Sequence, residues 1–285
     1  MILYFAGNLA GSDPLLYRMG VRNKLLTFAE IDEWGKQSFA FWLYNKPDDV
    51  RIFMDCGAFS ALSRGAVIDL DRYIKFCHQY RDKIDTYVQL DKIGDPTQTS
   101  VNLGIMEREG LTPIPVHTSS APISHLEQLC EKYRHIALGG LRAKDGDQSK
   151  WRRNYFNQVM TVAEKYWPVK FHAFGVTTQW MLERYPLHSA DSTSAILGAG
   201  LGRVLTFEKC HFIFGADKEY VQRTLDCSVL DSYGERAATG TESAHLGRRR
   251  KNIDTFLKFE RHINELWDRK FPNMWGEQPC ATASK

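Results

Sequence analysis

Three aspartates stand where a chain could do nucleophilic or acid–base chemistry. Asp55 lies in Met54-Asp55-Cys56-Gly57-Ala58-Phe59-Ser60, where the small residues after the carboxylate would let a ligand approach the backbone. Asp91 lies in Gln89-Leu90-Asp91-Lys92-Ile93-Gly94-Asp95-Pro96. Asp191 lies in Ser189-Ala190-Asp191-Ser192-Thr193-Ser194, among hydroxyl donors that favour the charged form of a carboxylate. Each follows a short β-rich run. A carboxylate ending a buried strand is costly unless something pairs with it or uses it. One such aspartate is often a helix N-cap, but three on separate strands point to a shared site. Gly139-Gly140, in Ala137-Leu138-Gly139-Gly140-Leu141, offers bare amides to a phosphate or a planar ligand. No Walker-type or Gly-x-Gly-x-x-Gly pattern accompanies the pair. His117 and His172 end or line strands, either as substrate contacts or as satisfied interior histidines. Cys56 reads as a nucleophile or, more simply, as a small buried residue. Metal chemistry has little footing: there is no Cys-x-x-Cys or His-x-x-x-His, and Cys210-His211 is adjacent rather than ligand-spaced.

The elements that must carry these residues alternate. Strands are expected at Ile2–Ala6, Arg51–Asp55, Thr86–Asp91, Pro113–His117, His135–Gly139, Lys170–Phe174 and His188–Asp191, with an eighth at Arg203–Thr206 or Cys210–Phe214. Helices are expected at Leu70–Tyr80, Thr97–Glu109, Ile123–Tyr133, Lys150–Lys165 and Thr178–Tyr185. Asp69 or Asp71 can cap the first of these helices. Strands alternating with helices imply parallel pairing through crossovers. Eight units over this length suit an α/β fold of the (β/α)8 TIM-like barrel type, with a doubly wound open sheet as the competitor. Asn8, Asp55, Asp91, His117, Gly139, Gly140, Gly175 and Asp191 then all fall at strand C-terminal ends, where barrel active sites lie. Asn8 to Val50 is long for one unit and suggests an N-terminal insertion, a hairpin or lid with Lys24–Phe28 and Phe39–Leu43 as strands. Ile253, Phe256, Leu257, Ile263 and Trp267 mark a C-terminal amphipathic helix. Residues 1–285 read as one elaborated domain with a frayed tail from Pro272 to Lys285.

Composition limits the function classes. The 285 residues hold 37 basic and 34 acidic side chains, a balance that by itself says little about nucleic acid. The basic residues cluster, however, in Arg248, Arg249, Arg250 and Lys251 and again in Lys150, Arg152 and Arg153. Each cluster is either a solvated face or a phosphate contact. No apolar run reaches the roughly 20 residues of a membrane span, and the first residues lack a basic leader. The scattered cysteines Cys56, Cys77, Cys130, Cys210, Cys227 and Cys280 suit free thiols and a cytoplasmic location.

Five segments in order resemble the queuine/archaeosine tRNA-guanine transglycosylase superfamily. They are Asp55-Cys56-Gly57-Ala58-Phe59-Ser60, Gln89-Leu90-Asp91, Gly139-Gly140-Leu141, Phe171-His172-Ala173-Phe174-Gly175-Val176 and Ser189-Ala190-Asp191-Ser192-Thr193. The likeness spans roughly residues 50 to 195. It is closest to the short phage and bacterial branch that puts 7-deazaguanines such as preQ0 into DNA.

The resemblance implies a base exchange in which Asp191 is the nucleophile, Asp55 the general acid/base and Asp91 a hydrogen-bond partner of the base. Gly139, Gly140 and Leu141 would line the base pocket, with Gly57, Phe59, His172 and Gly175 as further base-binding positions. A carboxylate can trap an oxocarbenium-like sugar covalently while a second carboxyl manages the protons of the two bases. The target nucleotide would be flipped out or taken single-stranded. Cys56, Ala58 and Ser60 replace Ser, Gly and Gln of the family motif, which alters the expected pocket. The family's structural zinc motif is absent, which argues against tRNA and implies no cofactor. The expected partners are therefore DNA, alternatively tRNA, and a free 7-deazaguanine base, with Arg248, Arg249, Arg250, Lys251, Arg152, Arg153 and Arg236 near phosphates. A hydrolytic N-glycosidase and a non-catalytic nucleic-acid-binding barrel are the remaining alternatives.

Overall fold

A computed structural model describes residues 1–7, 13–34, 39–141, 147–200, 203–208, 211–215, 242–272 and 274–275. Asn8, Cys210, Cys227, Arg236, Cys280 and most of the expected tail lie outside these residues. The main sheet has eight strands: β1 (Ile2–Phe5), β2 (Asn23–Thr27), β3 (Arg51–Asp55), β4 (Thr86–Tyr87), β5 (Val116–Thr118), β6 (His135–Gly139), β7 (Lys170–Ala173) and β8 (Ser189–Ser192). All pairings in it are parallel, in the order β4-β3-β2-β1-β8-β7-β6-β5. The sheet is curled, and β1 sits beside β8 rather than at an edge.

The order departs from expectation at two places. Lys24–Phe28, expected in an insertion hairpin, is β2 of the main sheet, in register from Asn23↔Arg51 to Thr27↔Asp55. Its sequence hides this role because Lys24 is fully buried within it. Lys24 faces the outer side, level with Ile52 and opposite in sense to Thr27, and lies against Asp13 of α1 (Asp13–Arg18). Phe39–Leu43 is not a strand. It includes the single helical turn α3 (Ala40–Leu43), and Phe39, Trp42 and Leu43, three and four positions apart, are the buried side chains. Between them α2 spans Phe28–Trp34. The expected insertion is thus one more strand–helix unit.

The two candidates for an eighth strand form their own antiparallel hairpin, β9 (Val204–Glu208) with β10 (His211–Gly215). β8 already pairs with β1, from Ile2↔Ser189 to Phe5↔Ser192, so the place beside β1 is taken. The hairpin docks instead on α11 (Glu242–Lys270), where Asn252 accepts from the Leu205 amide at 2.7 Å and Thr255 donates to the Leu205 carbonyl at 2.8 Å.

The remaining helices agree with the periodicity: α4 (Ala58–Ser63), α5 (Leu70–Gln79), α6 (Pro96–Arg108), α7 (Ile123–Lys132), α8 (Gln148–Tyr166), α9 (Gln179–Arg184) and α10 (Ser194–Gly200). Asp69 caps α5 by accepting from the Arg72 amide at 2.9 Å, and Asp95 caps α6 through Gln98 at 2.9 Å. The core lies between the outer sheet face and the helices. Its largest fully buried members include Trp42, Phe156, Phe171 and Phe259, each contributing about 1.5–3 kcal/mol by leaving water.

β4 and β5 are shorter than expected because Pro113 and Pro115 have no amide to donate. A single parallel bridge, Val88↔Ile114, joins the segments next to them, with Gln89 N–H to Ile114 O at 3.0 Å and Ile114 N–H to Tyr87 O at 2.8 Å. The buried Gln89 side chain completes the seam. It accepts from the Val116 amide at 3.1 Å and donates to Thr99 O at 2.8 Å.

The long helix α11 runs antiparallel to β1. Phe256 stacks near Phe5 while Glu260, one turn on, accepts from the Leu3 amide at 2.8 Å. Arg248–Lys251 therefore lie about 8–12 Å above Phe256 along the helix, towards the C-terminal ends of the strands.

Candidate active site

Strand alternation places Tyr4, Phe53, His172, Ser189 and Asp191 on the inner face of the sheet. Tyr4 and Phe53 meet edge to face at 5.2 Å, and Phe53 stacks on His172 at 4.3 Å between centroids. Phe174 closes on the same ring at 4.7 Å. This aromatic layer is the floor on which the carboxylates stand.

Asp55 ends β3 level with Thr27 of β2. The chain then turns through Gly57, whose φ of 86° belongs to the left-handed region. A Cβ there would stand 2.6 Å from Thr27 Cγ2 and 2.7 Å from Ala29 Cβ, so glycine is required twice over. The tight turn lets the Gly57 backbone hydrogen-bond Asp55. That bond does not offset what surrounds the carboxyl. Burial first, then the charges of Asp91 and Asp191, push Asp55 up to about 8. At neutral pH Asp55 holds a proton.

Asp91 follows the β4 segment and faces Cys56, whose thiol donates to Asp91 Oδ1 at 3.0 Å. Burial raises the Asp91 carboxyl, and the Cys56 bond partly counters it. The Cys56 thiol itself is pushed well above its ordinary value by burial and by Asp91 and Asp55. Cys56 is thus a protonated donor, and the nucleophile reading of it falls.

Asp191 is held differently. Its Oδ1 accepts from the Gly175 amide at 2.8 Å and lies 3.4 Å from His172 Nε2. His172 Nδ1 is 2.9 Å from Ser189 Oγ. Gly175 has φ of 63°, the conformation that turns its amide back onto β8. His172 has no exposed surface, so its ring lies beneath the strand ends rather than among the turns that follow them.

Gly139–Leu141 follows β6. A Cβ on Gly139 would come within 3.2 Å of Val116 Cγ1, and Gly140 sits at φ of 68°. Ser119 holds this segment, its amide donating to Gly139 O at 3.0 Å and its hydroxyl to Gly140 O at 2.6 Å. The Leu141 carbonyl accepts from Arg152 Nε at 3.0 Å and Gln148 Nε2 at 3.3 Å. Arg152 also reaches Thr178 Oγ1 at 3.5 Å, so it ties two rim loops together. Arg153 is exposed and stands 5.3 Å over the Trp180 ring. Arg248 donates to Ala199 O at 3.1 Å, and Arg248–Lys251 are half-buried rather than a solvated face. Phe59, 60% exposed on α4, leaves an aromatic face bare next to the Asp55 turn.

His117, also placed at a strand end, points the other way. Its Nδ1 lies 3.3 Å from His125 Nδ1 of α7, its ring stacks on Tyr155 of α8, and burial lowers it to about 4. It belongs to the sheet–helix interface. Sequence reasoning missed Ser189 under His172 and the Cys56–Asp91 pair. The first could be found from the two-residue strand repeat to Asp191; the second is a contact across 35 positions that no local signal carries.

Among the described residues no cluster of three or more His, Cys, Asp or Glu could hold a metal, and no helix is long and apolar enough to cross a membrane. Cys56, Cys77 and Cys130 are free and buried. No protein-family model and no curated protein matches the chain.

Proposed function

We propose that the chain exchanges guanine in DNA for a 7-deazaguanine base through a covalent aspartyl–sugar intermediate. The observation that carries this reading is the division of labour among three aspartates on or after separate strands: one holds a proton at neutral pH and one accepts from the Gly175 amide. Two carboxyl groups in such unlike surroundings supply an acid and a nucleophile together. The curled sheet is read as a closed (β/α)8 barrel, supported by the strand order and by the Val88↔Ile114 bridge between its two ends.

In the first half-reaction Asp191 attacks C1′ of the target nucleotide. The C1′–N9 bond breaks, and the departing guanine takes the proton from Asp55. In the second, the incoming 7-deazaguanine gives its N9 proton to Asp55, N9 attacks C1′, and Asp191 leaves as a carboxylate. Asp91 and the Gly139–Gly140 backbone would read the base edge, and the exposed Phe59 ring offers a stacking face. The base must leave its stack to reach Asp191, on the inner face of the sheet. The basic residues on the mouth-side turns of α8 and α11 support a polyanionic substrate.

The deciding measurement follows labelled guanine release from duplex DNA, single-stranded DNA and tRNA, with and without 7-cyano- or 7-aminomethyl-7-deazaguanine. Release from DNA that requires both the incoming base and Asp191 is the expected result. Release from tRNA alone moves the substrate, release without an incoming base makes the protein a hydrolase, and no release from any substrate overturns the reading.

A further inference from the structure

We infer that the Cys56 thiol is a positioning residue: by donating to Asp91 Oδ1 it keeps that carboxyl set as an acceptor for the donor edge of a guanine-type base. The inference rests on the reading of Asp91 as the group that meets the base. Three observations carry it. First, Asp91 lies beyond β4, and α6 holds the backbone on either side of it. Leu90 O accepts from Asn102 Nδ2 at 2.9 Å, and the Lys92 amide donates to Thr99 Oγ1 at 2.9 Å. Those bonds fix the main chain and leave the half-buried Asp91 side chain to be set by what it touches. Second, Cys56 is itself fixed. It has no exposure, its carbonyl accepts from the Ala29 amide at 3.2 Å, and it leads into the Gly57 turn that has no room for a Cβ. The 3.0 Å contact from Cys56 Sγ to Asp91 Oδ1 therefore joins two separately braced segments. Third, burial and the two neighbouring carboxyl groups keep the thiol protonated, so the contact is donor to acceptor and not anion against anion.

The consequence is one of protonation as well as aim. Guanine and its 7-deaza relatives offer N1–H and the exocyclic N2 hydrogens along one edge. An ionised carboxylate, which only accepts, matches that edge, whereas a carboxylic acid sets a donor against it. Burial drives Asp91 towards the acid, and the thiol opposes burial by donating to the charged form. The titratable groups that face this pair are few. Asp55 lies one residue before Cys56 and is felt by it, and Lys92 is turned to Asp95 at 3.4 Å. Cys56 thus divides the roles of two close carboxyl groups: Asp55 keeps a proton to give, and Asp91 is kept to accept.

The test reads the thiol before any activity. In the infrared spectrum of the full-length protein, the S–H stretch that Cys56→Ala removes should lie at the low-frequency, hydrogen-bonded end of the thiol bands. It should move to higher frequency in Asp91→Ala. A Cys56 band at the free-thiol position, or one that Asp91→Ala leaves in place, overturns the inference. Calorimetry with free 7-aminomethyl-7-deazaguanine then reads the consequence. Cys56→Ala should weaken base binding about 3- to 10-fold, the weight of a hydrogen bond from a weak donor, and should move the acid limb of binding to higher pH. Cys56→Ser, which keeps a donor, should restore most of the affinity and return the acid limb. A folded Cys56→Ala protein with wild-type affinity, or with a lower melting temperature and an unmoved acid limb, shows a merely structural thiol and overturns the inference. Those failures leave base exchange standing. A wild type that binds neither guanine nor a 7-deazaguanine sinks the transglycosylase reading, and the inference with it.

Discussion

Buried charge occurs on both faces of the same wall, and the two sets are built to opposite rules. On the outer face Lys24 is matched by an opposite charge: Asp13 of α1 lies beside it, Glu30 adds to the attraction, and its ammonium donates to the Gly7 carbonyl. Burial still dominates, lowering Lys24 to about 8 and raising Asp13. On the inner face three carboxyl groups converge, and their mutual repulsion adds to burial at Asp55. In the outer set opposite charges offset part of the burial cost, whereas in the inner set like charges add to it. Groups kept where they destabilise the fold are those that a ligand or a reaction must use.

The inner set should break first and hardest. Asp191→Asn should remove covalent adduct and base exchange together, a loss of at least about 1,000-fold, read on denaturing gels and by guanine release. An adduct that survives the substitution would assign the nucleophile elsewhere.

Asp55→Asn should slow exchange by about 100-fold or more, the usual weight of a general acid. In the wild type the first half-reaction should fall as pH rises through about 8, where Asp55 loses its proton. The same group should make the folded protein less stable with rising pH. Its folded value lies above the unfolded one, so the folded state binds the extra proton between about pH 4 and 8, and stability declines across that window. Asp55→Asn should therefore be more stable than wild type at pH 8 by about 1–3 kcal/mol, seen as a higher melting temperature. An unchanged melting profile would mean that the inner carboxyl groups do not repel.

The outer set should respond in the opposite sense. Lys24→Met should destabilise the fold by about 2–4 kcal/mol by stranding Asp13, and a further Asp13→Leu should restore most of the loss. Equal stability of the single variant would erase the contrast between the faces. The smallest effect belongs to the rim. Changing Arg248, Arg249 and Arg250 to Gln should weaken DNA binding about tenfold at 0.1 M salt and flatten its salt dependence, without altering the single-turnover rate at saturating DNA. An unchanged salt slope would remove the phosphate track.

Much of this frame was legible residue by residue. The helices from Leu70 to Arg184 could be read from apolar spacing and capping aspartates, because those signals lie within a few positions of one another. The strand ends carrying Asp55, Gly139 and Asp191 were legible for the same reason, whereas Asp91 lies beyond the end of β4. The strand at Lys24–Phe28 was legible too, but its place in the main sheet was not, since Lys24 reads as polar until its partner eleven positions earlier is known to lie beside it. His117 and His172 looked alike as histidines at or near strand ends. A single step of the two-residue alternation sends one ring to the helices and the other beneath Asp191.

By itself, then, the sequence determined the alternating units, their caps and the small-residue turns after each aspartate, all set by local backbone preference and side-chain volume. The tertiary structure alone decided which carboxyl holds a proton, which one the Gly175 amide meets, and that Cys56 donates to Asp91. Those properties depend on burial and on charges brought together from strands far apart in the chain, and no local pattern encodes a distance between them.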